Sequence, residues 1–293
     1  MLSLWIVFAL LSAFVIAIVN VVDKVIIKDE MKDTKLAAVV IGLIAFVIYS
    51  IVGLFAGISI PSLNILVLAL VVGALDIFTI ILYFKALKRD EVSRVVPVMA
   101  TIPIFVLILA VLFLGERFLP LQYLGIFLIA FGAFLISVRE KLHQVVLSKA
   151  FGIILFASFV AAISSVLAKS VLTPDNVFNI LFWFGLGGGI ISGIILLFHH
   201  PHIREKARAG IKHLVWISAL GVLASLLLIY AIANGPVSLV MAFYEVKPLF
   251  VLLLVLLFSK AYPGFLKEKM SKRIVVQKLM AILLIVVGSL LLV

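Results

Sequence analysis

The sequence predicts an all-α integral membrane protein: ten transmembrane helices in two inverted five-helix repeats. Three observations predict it. Of 293 residues, 66% are hydrophobic and 13% charged, with a mean hydropathy of +1.41, whereas an ordinary globular chain is about 25% charged. The apolar residues fall in continuous runs long enough to cross the roughly 30 Å hydrocarbon core, which takes about 20 residues of helix. The second half of the chain also repeats the first. Barrel strands are excluded, because they alternate over about ten residues and these runs do not.

Charge clusters and Gly or Pro punctuation divide the chain into ten spans. The first, 2–22, starts Met1-Leu2-Ser3-Leu4-Trp5, with neither a basic leader nor a small-residue cleavage site, and reads as a retained helix. The next four are 36–56, 63–87, 92–113 and 120–138, closed by the basic stretch that begins at Arg139. The last five are 149–171, 178–198, 212–233, 237–258 and 274–293. Residues 1–140 form the first repeat and 149–293 the second.

The repeat is read from residues at a constant offset of 145. Val92-Ser93, Pro103-Ile104-Phe105-Val106 and Phe113 recur as Val237-Ser238, Pro248-Leu249-Phe250-Val251 and Phe258. Phe14, Asn20 and Lys24 fall on Phe159, Ser165 and Lys169, and after an insertion near 261–271 Gly125 and Gly132 fall on Ala281 and Gly288. Five is odd, so consecutive copies enter the membrane from opposite sides, the inverted arrangement of many secondary transporters.

Net charge is +11, but the basic residues sit between apolar runs rather than along one stripe, which points to anionic lipid and away from nucleic acid. Counted with adjoining helix ends, the odd-numbered loops hold 21 Lys and Arg, among them Lys28, Arg89, Arg139, Arg204 and Arg273, and the even loops two, Arg117 and Lys169. The positive-inside rule puts the odd loops in the cytoplasm of a multi-pass cell-membrane protein and both termini outside. With no cysteine, disulfides, thiolate metal sites and cysteine nucleophiles are excluded. No nucleophile elbow, His-Glu-x-x-His or phosphate loop is present, so neither an enzyme nor an ATP-driven pump is expected, and no cofactor.

Ala86-Leu87, Val92-Ser93-Arg94, Pro97, Ile102-Pro103-Ile104-Phe105, Leu114-Gly115-Glu116-Arg117-Phe118, Gln122, Gly125 and Gly132 resemble the EamA-type branch of the drug/metabolite transporter superfamily. With their echo at Gly235-Pro236-Val237-Ser238 and Pro248-Leu249-Phe250, the resemblance covers essentially the whole chain. It implies a central cavity between helices one, three and four and helices six, eight and nine, alternating access, and export or exchange of small metabolites. It also implies cytoplasmic termini, against the charge count. The chain departs from the pattern at Ser259-Lys260-Ala261, which replaces Gly115-Glu116-Arg117 in the second half, and at Lys247 before Pro248.

Ionisable groups near the bilayer centre are costly unless they pair or line a wet cavity. Three are singled out: Asp76, Glu245 and Lys247. At about 100° per residue, Asp76, Thr79 and Tyr83 form one polar stripe on helix three, expected to face the cavity. Asp76 is a candidate proton carrier or substrate-amine partner, or else a structural counter-ion. Glu245 and Lys247 fall about 200° apart on a continuous helix, which forbids a face-to-face pair. Lys247 is expected to meet Asp76 across the repeat interface in one conformation, with Glu245 holding a proton or a cationic substrate group; a static buried pair is the alternative.

Tyr244 and Tyr230 are binding candidates beside Tyr83, and Asn20 and Ser165 are equivalent polar sites near the cavity rim. Pro103 and Pro248 are expected mid-helix as a symmetric pair of hinges or gates. Gly185, Gly189 and Gly193, with Gly187 and Gly188 between them, suit close helix packing. Gly53 and Gly57 resemble a shorter version, which admits a homodimer contact. His199, His200 and His202 lack a matching carboxylate or cysteine pattern, and no metal is expected.

The expected function is secondary transport of a small polar or amphiphilic metabolite, such as an amino-acid-like solute, by alternating access, with coupling open between proton antiport (proton-coupled export), exchange and facilitated diffusion. The alternatives are exchange of anionic or sugar-derived metabolites, motivated by Lys247, and a non-transporting membrane scaffold.

Overall fold

The computed structural model describes residues 3–25, 33–89, 95, 98–99, 101–137, 149–199, 205–247, 249–251, 253–254 and 272–292. These residues form ten helices: α1 Leu4–Val25, α2 Thr34–Ala56, α3 Leu63–Arg89, α4 Ile102–Phe113 and α5 Pro120–Ser137, then α6 Lys149–Val171, α7 Val177–His199, α8 Glu205–Asn234, α9 Val237–Tyr244 and α10 Lys272–Leu290. Among the described residues six helices, α1, α2, α3, α6, α7 and α8, are long and apolar enough to cross a membrane by themselves.

The helices pair reciprocally. α1 lies on α8 and α3 on α6, while α2 packs on α7, α4 on α9 and α5 on α10. The α5 and α10 crossing shows the symmetry at residue level. Gly125 abuts the Gly288 backbone and Gly132 the Ala281 backbone, so the four repeat-related positions meet as an antiparallel pair. A Cβ at Gly125, Gly132 or Gly288 would enter the opposing backbone, which is why small residues stand there.

Glycines also seat α7. Gly185 and Gly189 lie against Tyr49 and Phe46 of α2, while Gly187 and Gly188 approach Leu70, Gly73 and Ile77 of α3. Gly193, expected in the same packing stripe, has open space where a side chain would go. Gly53 is packed on Phe182 within the chain, and Gly57 takes a left-handed φ of 83° to end α2.

α2 is tied to α7 at both ends. Asp33 caps α2 by accepting the amides of Lys35 and Leu36 at 3.0 and 3.1 Å, and meets His199 Nε2 at 2.7 Å. At the other end, Asn179 and Trp183 donate to Ser59. Partial burial works against the Asp33 carboxylate, but the two amides and the His199 ring outweigh it and hold its carboxyl below the usual range.

Three expected spans differ from the structure; the eighth, expected over 212–233, already starts at Glu205. The fourth was expected as one helix over 92–113, but α4 starts at Ile102 with Pro103 in its first turn, where the missing amide costs nothing. The Thr101 amide and hydroxyl turn back to the Val98 carbonyl, which Ser158 also approaches. Pro103 is thus a helix start rather than a mid-helix kink; Pro248 lies outside the described residues. The ninth span was expected to run unbroken from 237 to 258, but α9 ends at Tyr244, and Glu245 and Val246 form a turn.

Candidate functional site

The centre of α3 carries Asp76. The lipid-facing stripe of this helix is marked by exposed Val67, Val71 and Phe78, and at about 100° per residue Asp76 points to the opposite side. There it accepts a hydrogen bond from Ser164 Oγ of α6 at 2.6 Å. Tyr49 of α2 and Tyr244 lie within its electrostatic reach, and Ser225 of α8 hydrogen-bonds Tyr49. Its side chain keeps some accessible surface beside this contact.

Of the rest of the expected α3 stripe, Thr79 turns its hydroxyl back onto the Leu75 carbonyl at 2.9 Å, which occupies its donor. Tyr83 is buried, 8% exposed, and its hydroxyl has no hydrogen-bond partner. Asp23 of α1 and Tyr244 are its ionisable neighbours.

Glu245 and Lys247 do pair. Lys247 Nζ donates to Glu245 Oε1 at 2.6 Å, with the side chains 3% and 0% exposed, and Nζ lies 4.4 Å from the centre of the Tyr244 ring. The expectation of opposed edges fails because α9 has ended: through the turn at 245–246 the helical 100° rule no longer applies. In this conformation Lys247 meets Glu245 rather than Asp76. Glu245 Oε2 is left without a partner.

Ser165 donates to the Ala161 carbonyl at 2.9 Å and approaches Met241 Sδ at 3.8 Å; Asn20 is buried on α1. Tyr230 packs edge-on against Phe8 at 4.7 Å. Lys169 donates to the Ile232 and Ala233 carbonyls at the end of α8, at 2.8 and 3.4 Å.

The Gly115-Glu116-Arg117 segment gains a definite role in the fold. Gly115 adopts a left-handed φ of 67°, a conformation cheap only for glycine, and lets the Glu116 amide turn back to the Ala110 carbonyl. The Glu116 carboxylate then accepts the Val237 amide at 2.7 Å, the Ser238 amide at 3.3 Å and the Ser238 hydroxyl at 2.8 Å. It caps α9 from outside the helix, and an anion at a helix N-terminus is favourable for the dipole as well. Arg117 is exposed. Trp5 covers Gly235 and packs on Phe243 at 6.0 Å. Glu116, Lys169 and Trp5 thus tie the even-loop end together.

At the odd-loop end a cleft of about 400 Å³ is lined by Asp33, Thr34, Lys35, Lys85, Lys88 and His199. Sequence reasoning missed Asp23, 5% exposed with an unpartnered Oδ1, because it adjoins Lys24 and a charged loop. Its signal was helical spacing: Ala9, Ala13, Ala17, Asn20 and Asp23 continue one buried face. Ser164 was missed because a lone hydroxyl in an apolar run carries no pattern of its own.

The EamA-like transporter family matches the chain twice, over residues 3–138 and 148–293. The chain is also similar to an uncharacterized transporter in the cobO 3' region of a Sinorhizobium species, 36% identical over 137 residues, which is 46% of this chain and 96% of that protein. A solved crystal structure shares the fold with a TM-score of 0.68 at 15% identity, over 97% of each chain. A ten-helix, multi-pass membrane architecture with a family match to both halves places this chain in the EamA-like transporter family.

Proposed function

We propose that this chain is a secondary transporter that moves a small polar or amphiphilic metabolite, such as an amino-acid-like solute, by alternating access between its two halves. The observation that carries the reading is Asp76: an accessible carboxylate on the inward face of α3, held by Ser164 across the interface between the halves. A charge at that depth is costly unless it lines a wet path or holds a partner. The reciprocal pairing of helices supports rocking of one half against the other, with the Glu116 cap as one closed position of the even-loop end. The charge split of the loops supports a cytoplasmic odd-loop end.

Anion exchange draws on Lys247, but that ammonium is already neutralised by Glu245, so an amine-bearing solute at Asp76 fits better. The test compares metabolites in cells and medium, by untargeted mass spectrometry, between cells expressing wild type, Asp76→Asn at equal membrane abundance, or empty vector. A solute displaced by wild type alone supports the reading. Identical profiles in all three would count against it and favour a scaffold role.

A further inference from the structure

The turn between α8 and α9 is held from both sides by side chains of opposite charge. Glu116, on the loop between α4 and α5, accepts the amides of Val237 and Ser238 and the Ser238 hydroxyl at the start of α9. Lys169, near the end of α6, donates to the Ile232 and Ala233 carbonyls at the end of α8. Each charge meets the helix end whose dipole favours it. Trp5 lies so close over Gly235 that a Cβ there would come within 2.7 Å of its ring.

This clasp stands over Asp76. Ser165 is one turn below Lys169 on α6 and Met241 one turn below Val237 on α9, and the Ser165 hydroxyl approaches Met241 Sδ at 3.8 Å. Next to Ser165, Ser164 holds Asp76, about 7 Å from Lys169 along the helix axis. The arm that carries Glu116 is lightly built: Gly115, Arg117 and Leu119 are exposed, and Gly115 has open space where a side chain would go. Few buried contacts oppose its movement.

Opening the turn takes Glu116 from three donors and Lys169 from two acceptors, and a partly buried charge left without partners is costly. Among the described residues the other charges of this end are Arg117 and Asp175, both exposed. Glu116 and Lys169 lie within electrostatic reach of each other, and the groups they bind begin at Ile232 and Val237, five residues apart. They nevertheless form no ion pair in this conformation, since each is engaged with a helix end.

We propose that the α8–α9 turn is the even-loop gate of the transport cycle and that opening it exchanges partners: Glu116 leaves α9, Lys169 leaves α8, and the two charges pair with each other. This rests on the transporter reading and deepens it, by naming what holds the Asp76 site shut on one side and what stabilises that side when open.

The chain has no cysteine, so Met241→Cys in the reconstituted full chain reads opening through its rate of labelling by a water-soluble thiol reagent. On that background Glu116→Gln, Lys169→Gln and the two together make a double-mutant cycle. Each single change removes one closing tie and also the open pair, whereas the double change removes both ties but the pair only once. The double variant should therefore label several-fold faster than the product of the two single effects. A rate at or below that product, the mark of ties that act in the closed clasp alone, would overturn the exchange, as would a Met241→Cys that the reagent never reaches. Should a Gln variant fail to fold, Glu116→Ala and Lys169→Met run the same cycle with the same expected sign. The transporter reading fails separately, through an unchanged metabolite profile between wild type and empty vector.

Discussion

Glu116 of the first half accepts the backbone amide of Val237 of the second at 2.7 Å. One carboxylate thereby supplies the N-terminal cap that Pro236, which makes no side-chain cap, cannot give α9.

Glu116→Ala should remove this cap and lower stability by about 2 kcal/mol, the scale of hydrogen bonds to a charged acceptor, read as a drop in thermal midpoint in detergent. Glu116→Gln, which keeps an acceptor, should fall between. The chain has no cysteine, so Met241→Cys, buried behind the cap, reports opening: Glu116→Ala should raise its labelling by a water-soluble thiol reagent.

The Glu245 and Lys247 pair predicts strong non-additivity. Removing one partner strands a buried charge, so Lys247→Met alone should be destabilising by about 3–5 kcal/mol, whereas replacing both partners should recover much of that loss. A double-mutant cycle in thermal unfolding measures it. Additive losses would show that the 2.6 Å contact carries no coupling.

Gly73→Ala would place a Cβ into the backbone of Phe184 and Gly188, and overpacking of this kind costs about 1–3 kcal/mol. Gly193→Ala, which meets open space, should instead gain up to about 1 kcal/mol from helix propensity. The opposite signs in a thermal melt test whether helix packing, rather than glycine content, sets the requirement.

Asp33→Ala should cost about 1 kcal/mol through the lost α2 cap. Because the folded state holds this carboxyl below its ordinary value of 3.8, its contribution is present above that value and disappears as pH falls below it. The difference between wild type and Asp33→Ala should therefore be constant at neutral pH and shrink in acid. With the side chain 35% exposed, salt should reduce the His199 part of it.

The helices were legible because bilayer thickness fixes their length and the chain is apolar enough to show it; α3, α6 and α7 follow the apolar runs closely. Asp76 was legible for the same reason, as a charge within such a run. Pro103 and the Glu245 turn were not: a proline or a short polar break reads alike in a kinked helix and at a helix end, and only the Thr101 turn and the stop at Tyr244 separate them. Once α9 stops, the angular argument that kept Glu245 from Lys247 loses its premise. The Glu116 cap was beyond sequence reasoning because donor and acceptor lie 121 residues apart.

The central claim is that Asp76 faces a water-accessible path at the depth of the bilayer centre. In the cysteine-free chain, Asp76→Cys and Phe78→Cys put a thiol on opposite sides of α3. A small, charged, membrane-impermeant thiol reagent should modify Asp76→Cys and spare Phe78→Cys. Equal reactivity, or an inert Asp76→Cys in folded protein, would contradict it.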